Sequence, residues 1–397
     1  MTFAPLRLKK NEDRRLRAGH VWVYSNEIDT GATPLTSFEP GQAVVIEDHS
    51  GRPLGSGYVN PHTLICARLI SRDSTQSLNQ SLLVHRLNVC RSLREKLLPQ
   101  PYYRLAFGDS DGLPGLVVDR YGSVVVAQIT TAGMERVKEE IVAAIDKVLH
   151  PQAIVLRNDS ASRETEGLGN YVEVALGEVS GQVMIEENGV RFEVSVLEGQ
   201  KTGWFYDQRL NRARLSGYVA GARVLDVFSY TGAWGVQAAA AGAASVLCVE
   251  SSARAVDWAR NNAAMNGVED RLSVLHQDAF EALRLLRSER RHFDVVIVDP
   301  PAFIKRRKDA TEGMRAYYRL NQMAMQVLAR DAILVSASCS YHLARSDLQQ
   351  ILLQSSRHVD RFLQLVEQGG QGPDHPVHPA IPETGYLKVF FSRILPN

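Results

Sequence analysis

The sequence predicts an α/β protein in which a small β-barrel and a small α+β unit precede a doubly wound, mostly parallel sheet. Three observations carry that expectation. Residues 1–71 hold short strand runs punctuated by Gly, and residues 73–180 mix helical stripes with strands. From 181 to 397, apolar strand runs alternate regularly with helical stripes, the pattern of βα units winding about one sheet.

Composition sets outer bounds. A chain of 397 residues has material for two or three cores. Its 45% hydrophobic and 22% charged content describes an ordinary globular protein, not a disordered or fibrous one. The formal net charge is only +1, so any nucleic-acid surface must be a local patch. Cys66, Cys90, Cys248 and Cys339 are scattered without a CxxC pair, which argues against a disulfide framework and against a structural zinc site, and no metal is expected. The Ala/Gly-rich stretch from Ala233 to Val249 is broken by Gln237 and is too mild to span a bilayer. Met1 to Pro5 leads into charged residues and not into an apolar signal-peptide core. A cytoplasmic protein with no membrane partner is expected; the oligomeric state, a homodimer included, stays open.

The elements follow in order. Val21 to Tyr24, Val44 to Glu47, Leu54 to Tyr58 and Leu64 to Ile70 read as barrel strands, with a turn at Asp48 to Gly51. Leu83, Leu87, Cys90, Leu93 and Leu97 recur at helical spacing. Strands around Leu116 to Val118 and Val124 to Val126, a helix marked by Val137, Ile141, Ile145 and Val148, and strands at 153–156 and 171–175 make a β-β-α-β-β unit. Asn188-Gly189 between two strand runs predicts a tight hairpin. Strands then end near Val227, Val249, Leu275, Val298 and Val335, each followed by a helix, the last opened by Ser346.

In such sheets ligands gather outside the carboxyl ends of the strands. Asp226 precedes the loop Phe228-Ser229-Tyr230-Thr231-Gly232, which is not the GxGxxG of a pyrophosphate site. A carboxylate there repels phosphate and attracts an ammonium or sulfonium. Glu250, with Ser251 beside it, ends the second strand where ribose hydroxyls collect, and Asp278-Ala279 follows the third, within reach of an adenine edge. Each acid alone could be a helix cap. Together they fit S-adenosylmethionine better than a nicotinamide dinucleotide.

Asp299-Pro300-Pro301-Ala302-Phe303 ends the fourth strand. Two prolines stiffen the loop, so Asp299 and Phe303 are held against a planar base, one at its edge and one near its face. Cys339, in Ser338-Cys339-Ser340, ends the fifth strand. A free Cys is often only a small buried hydrophobe, but a strand end flanked by serines favours exposure. An unperturbed thiol titrates near ~8.5, so only a few per cent is thiolate at neutral pH. Lys305, Arg306 or His342 could lower that value. Thiolate addition at carbon 6 of cytosine turns carbon 5 into a nucleophile towards a sulfonium methyl, and Asp299 would hold the N3 and exocyclic-amine edge. The run Lys305-Arg306-Arg307-Lys308 beside this motif is a candidate RNA surface; the N-terminal cluster Arg7, Lys9, Lys10, Arg14, Arg15 and Arg17 is a second basic patch or a solvated face.

The motifs Gly199 to Arg209, Asp226 to Gly235, Asp299 to Phe303 and Ser338 to Ser340 resemble the bacterial large-subunit ribosomal RNA methyltransferase I family, as do Asp111 to Leu116 and Val118 to Gly122. The resemblance spans nearly the whole chain. It implies a PUA domain for RNA over 1–71, a central domain over 73–180, and a hairpin linker with a Rossmann-like methyltransferase domain over 181–397. It implies S-adenosylmethionine-dependent methylation of cytosine carbon 5 in 23S rRNA, free or in an assembling large-subunit particle. By the same resemblance Asp226, Glu250, Asp278 and Asp299 line the cofactor pocket with Ser229, Thr231, Gly232, Ser251 and Ala279. Lys201, Thr202 and Asp207 cover its entrance, and Cys339 is the nucleophile. Pro301-Ala302 stands where many RNA cytosine-C5 methyltransferases have a second Cys, which leaves the release of Cys339 unassigned. Trp204 stands where the family commonly has Phe. A guanine or exocyclic-amine methyltransferase would need no thiol, and a non-catalytic RNA-binding assembly factor would need no Asp299.

Overall fold

The computed structural model describes residues 3–397, which divide into two compact units. The first holds the chain up to Val183 together with Ser195–Trp204 and Pro373–Thr384. The second holds Met184–Val194, Phe205–Gly372 and Gly385–Asn397.

The first unit contains two sheets. β1 (Ala4–Arg7), β2 (Trp22–Tyr24), β3 (Gln42–Glu47), β4 (Pro53–Val59) and β5 (Ile65–Ser71) are ordered β1-β3-β4-β5-β2. An antiparallel bridge between Leu8 and Ile28 joins the chain just past the two edge strands and curls the sheet towards closure. Leu6, Leu8, Val23, Ile28, Val44 and Ile46 fill its interior. β1 is a strand that the sequence reading passed over, because its buried Leu6 stands among basic residues. Three of the six basic residues of this cluster pair with carboxylates: Arg7 with Glu47, Arg15 with Glu27, and Arg17 with Asp13 and Asp48. The cluster is a bonded face of the barrel.

The second sheet comprises β6 (Tyr102–Phe107), β7 (Leu116–Tyr121), β8 (Val124–Ile129), β9 (Ala153–Asn158) and β10 (Tyr171–Gly177), in the order β10-β9-β8-β7-β6. The helices Gln80–Leu97 and Lys138–Leu149 share one core with it through Leu83, Leu87, Ile141 and Ile145. β6 adds a strand to the expected β-β-α-β-β order. Arg104 on it forks onto Asp119 of β7, with both bonds at 2.8 Å.

The second unit opens with the hairpin β11 (Gln182–Glu187) and β12 (Val190–Ser195), whose outer ends belong to the first unit. Asn188 and Gly189 have φ of 55° and 78°, the left-handed pair that a type I′ turn requires. The main sheet follows: β13 (Arg223–Val227), β14 (Ser245–Glu250), β15 (Leu272–His276), β16 (Phe293–Val298), β17 (Leu328–Ser338), β18 (Arg361–Gly369) and β19 (Lys388–Pro396). Their order is β15-β14-β13-β16-β17-β19-β18. The first five run parallel, as expected, and β19 inserts antiparallel between β17 and β18. Strand order reverses at β13, so a crevice opens at the carboxyl ends of β13 and β16. The last two strands were not foreseen, although Val389-Phe390-Phe391 is fully buried.

The hairpin is tied to the helix Arg209–Leu215 by a buried ion pair. Arg212 forks onto Glu187 at 2.6 and 3.0 Å, and Gln237 adds a bond to the same carboxylate at 2.9 Å. Removing one partner of such a pair leaves a buried charge uncompensated, which costs about 3–5 kcal/mol. Arg212→Ala is therefore expected to lower the unfolding free energy from urea titration by an amount in that range, with a lower midpoint, and Arg212→Ala with Glu187→Gln to recover part of it. Equal midpoints for wild type and Arg212→Ala would remove the pair from the stability of this unit.

Candidate active site

The crevice starts with a strained turn after β13. Phe228 and Tyr230 have positive φ, 67° and 48°, and Gly232 follows at 79°. Non-Gly residues in this region are uncommon and cluster at functional sites. The N–H groups of Phe228 and Ser229 both donate to the Val249 carbonyl at 3.1 Å, and that of Tyr230 donates to Glu250 Oε2 at 2.9 Å. Asp226 is completely buried beneath the turn. Its Oδ2 accepts the Gly235 N–H at 2.9 Å, whereas Oδ1 has no partner among the described residues. Gly235 has no room for a side chain, because a Cβ would lie 2.4 Å from Cys248 Sγ. Thr231 Oγ1 is likewise buried without a partner.

Glu250 Oε1 accepts the N–H groups of Ser251 and Ser252 at 2.9 and 2.8 Å. A carboxylate has about four lone-pair sites, so acceptor capacity remains. Asp278 caps the helix Ala279–Ser288 through Oδ1, which takes the N–H groups of Phe280 and Glu281. The alternative of a helix cap is thus realised at Asp278, on an exposed side chain whose Oδ2 is not used in the cap. Ala279 is buried as the first residue of that helix. An unpartnered carboxylate oxygen, an unpartnered hydroxyl and two strand-end acids together fit a ligand with a cationic end and ribose hydroxyls.

Asp299 stands just past β16. Its Oδ2 accepts Gln208 Nε2 at 2.9 Å and Trp234 Nε1 at 3.0 Å. Gln208 is in turn held by Asn211, whose amide donates to Gln208 Oε1 at 2.7 Å and to the Gly370 carbonyl at 2.9 Å. Neither Gln208 nor Trp234 was singled out from the sequence, because an amide and an indole carry no chemistry until their partner is known. Phe303 packs edge-on or tilted with Tyr317, Phe228 and Phe280, at ring separations of 4.8, 6.4 and 6.4 Å.

Cys339 stands just past β17, and Val298 of β16 is in register with Ser336 of β17. The thiol is partly exposed, and its Sγ is 4.0 Å from the Pro300 carbonyl. Sulfur and carboxylate therefore share one sheet edge. The serines on either side are locked by Tyr317, whose hydroxyl is 2.9 Å from Ser338 Oγ and 2.8 Å from Ser340 Oγ. Lys305, Arg306 and His342, expected as cations beside the thiol, are exposed. The buried cation at this turn is Lys388, whose ammonium donates to the carbonyls of Ser340 and, at 2.7 Å, Tyr386. The sequence reading missed it because β19 was missed.

The segment from Gly199 to Arg209 divides between the units. Lys201 and Thr202 belong to the first, where the Thr202 carbonyl accepts Tyr121 Oη–H at 3.1 Å. Asp207 belongs to the second, buried, with Oδ2 accepting from the Tyr386 hydroxyl at 2.5 Å. Lys305 to Lys308 are exposed, and among the described residues Arg306 alone of the four pairs with a carboxylate, Asp309 at 3.3 Å.

Comparison with known proteins adds independent findings. Residues 6–72 match the PUA-like domain family, and residues 169–387 match the S-adenosylmethionine-dependent methyltransferase family. A protein of Shewanella denitrificans named ribosomal RNA large subunit methyltransferase I is 37% identical over 98% of this chain and 99% of its own. A protein of the same name from Photobacterium profundum is 37% identical over 96% of this chain and 97% of its own. A solved structure of a candidate SAM-dependent methyltransferase from Streptococcus mutans superposes with a TM-score of 0.83 at 21% identity, covering 98% of this chain and all of that one, which speaks to fold. The fold is thus a PUA-like domain ahead of a Rossmann-like S-adenosylmethionine-dependent methyltransferase domain. One expectation is corrected: the resemblance implied a family defined by cytosine carbon 5, whereas the relatives' shared name specifies large-subunit rRNA and no base or atom. The physical reason is that strand-end acids and an Asp-Pro-Pro turn specify a cofactor and a planar base, not the atom methylated.

Burial shifts Asp226 and Asp299. Asp226 is pushed up to about 7, chiefly by desolvation against the opposing Gly235 N–H, and Asp299 to about 6, again by burial first. An unfolded Asp titrates near ~3.9, so between that value and neutrality the native state keeps protons that the unfolded state has lost. These two groups make stability fall as pH rises from about 4 to about 7, with no further loss above. Asp226→Asn is expected to flatten the fall in urea midpoint across that window. An unchanged slope would show that Asp226 is ionised throughout.

Proposed function

The chain belongs to the ribosomal RNA large subunit methyltransferase I family, and from that premise we propose that it methylates carbon 5 of a cytosine in 23S rRNA through a covalent Cys339 adduct. The observation that carries the reading is the 4.0 Å approach of Cys339 Sγ to the carbonyl of Pro300, the residue joined to Asp299. Guanine and exocyclic-amine transfer leave such a thiol without a task.

S-adenosylmethionine, when bound, supplies an electrophilic methyl group on a sulfonium. Asp226, Ser229, Thr231 and Gly232 would hold its cationic end at the turn after β13. Glu250 with Ser251 would take the ribose hydroxyls, and Asp278 with Ala279 the adenine edge. Asp207, within the same unit, is read as a covering group. Cys339 thiolate adds to carbon 6 of the pyrimidine, and the ring electrons move to carbon 5. Once carbon 5 carries the methyl it gives its proton to solvent, the C–H electron pair restores the double bond to carbon 6, and the carbon–sulfur bond breaks with its electron pair returning to sulfur. Asp299, raised to about 6, can share a proton with N3 while it accepts from the exocyclic amine, so it offsets charge that develops during addition. The PUA-like domain and the exposed run Lys305 to Lys308 are read as RNA contacts, with Phe303 behind the base. Such an enzyme works in the cytoplasm, where the large subunit is assembled. In this reading residues 1–71, 73–180 and 181–397 act as RNA-docking, spacer and catalytic parts.

Incubation with a 23S rRNA fragment containing 5-fluorocytosine tests base, atom and nucleophile together. The expected result is a protein–RNA adduct that mass spectrometry maps to Cys339. Cys339→Ala is expected to form no adduct and lose methyl transfer by at least about 10³-fold, with unchanged cofactor affinity in calorimetry. Sustained turnover by Cys339→Ala would overturn the covalent route. A second test reverses the charge of Lys305 to Lys308. Neutralising fewer phosphates reduces the slope of log affinity against log salt, by about 0.9 for each duplex phosphate and about 0.7 for each single-strand one. An unaltered slope would exclude this run from the RNA surface.

A further inference from the structure

We propose that Lys388 is the positioning cation of Cys339, holding it as a thiolate before attack and receiving it as a thiolate when the pyrimidine leaves. The proposal rests on the reading of Cys339 as the nucleophile. It fills the role left empty where Pro301-Ala302 replaces a second Cys.

Backbone pairing brackets the thiol on both sides. Lys388 opens β19 directly opposite Ser338, the residue before Cys339. Its ammonium then reaches across to the carbonyl of Ser340, the residue after Cys339. A second bond, to the Tyr386 carbonyl at 2.7 Å, fixes the ammonium at this turn. An ammonium has three donors, so one hydrogen remains beyond these two carbonyls. Lys388 is 5% exposed, so little water screens its charge from a neighbour. Carbonyl oxygens compensate such a charge only in part, and a thiolate is the anion that this turn can produce.

Direction of titration agrees with the geometry. Burial lowers Lys388 to about 8, and the sulfur of Cys339 is the group that opposes this fall. Other groups act on the pair. Arg345, from the helix Arg345–His358, pushes Lys388 further down, and Tyr317, from the helix Ala310–Gln326, interacts with Cys339. Asp299 stands beyond β16, while Tyr341 and His342 follow on the exposed side of the loop. With Lys388 protonated, sulfur loses its proton to solvent and remains beside the ammonium. After methylation the carbon–sulfur bond breaks, and the returning electron pair meets the same positive charge. The ammonium thus stabilises sulfur both as nucleophile and as leaving group, while the carbon 5 proton passes to solvent.

The test is the pH dependence of Cys339 alkylation by iodoacetamide, followed by mass spectrometry of the Cys339 peptide. Cys66, Cys90 and Cys248 are buried and serve as internal controls. Wild type is expected to show a midpoint below the ordinary thiol value of about 8.5. Lys388→Met is expected to raise it by at least one pH unit, and Lys388→Arg to restore most of the shift. A wild-type midpoint at or above about 8.5, or equal midpoints in wild type and Lys388→Met, would overturn the proposal. The wild-type measurement decides the matter even where Lys388→Met does not fold. Alkylation needs no RNA, so a shifted midpoint upholds the pairing even where Cys339→Ala keeps its turnover, an outcome that would sink the covalent reaction alone.

Discussion

The register between β16 and β17 is the constraint on which the rest of the site depends. With Val298 opposite Ser336, the two strands end at slightly different heights, and Asp299 and Cys339 emerge on the same edge. A shift of one residue would turn every alternate side chain to the other face of the sheet. The register is held by packing: Leu320, Ala324, Leu348 and Leu352 share a core with Val296, Val298 and Leu334 on one face, and Val295, Ile297 and Val335 on the other face are buried as well. Core packing therefore fixes the site chemistry indirectly, by fixing which atoms leave the sheet together.

Around that edge, side chains of no catalytic kind do the holding. Asp299 is oriented by an indole N–H and an amide, and the amide is oriented by Asn211. Gly369 makes this possible, since a Cβ there would sit 2.0 Å from Asn211 Oδ1. The serines beside Cys339 are tied to one tyrosine hydroxyl. A nucleophile on a free loop would lose entropy at each turnover, whereas one on a bonded turn is already oriented. Lys388 serves the same end from β19, as backbone neighbour and as charge.

How much of this was legible in the sequence depends on range. Strands with continuous apolar runs, such as Val224 to Val227 and Val295 to Val298, were readable because both faces are buried. The Asn188-Gly189 turn was readable because its backbone conformation restricts residue type. β1 and β6 were missed for the opposite reason: Arg7 and Arg104 interrupt the apolar pattern, and only their partners Glu47 and Asp119 explain them. The acids Asp226, Glu250 and Asp299 were legible from their place at strand ends. Trp234 and Gln208 were not, because the carboxylate that gives them meaning lies 65 and 91 residues further along the chain. Lys388 was not, because its partner turn lies across the sheet. Asp278 shows the limit of strand-end reasoning, since helix capping already occupies one of its oxygens.

The insertion of β19 between β17 and β18 has a temporal consequence. A chain grows from its N-terminus, so β18 is made before the strand that must separate it from β17. Until Lys388–Pro396 emerges, the β17 edge presents unpaired amides, and β18 with its exposed Phe362 and Val366 has no native neighbour. Premature pairing of β17 with β18 would trap the wrong sheet order. The native sheet order is reached only once β19 is available, and only then does Lys388 come to lie opposite Ser338.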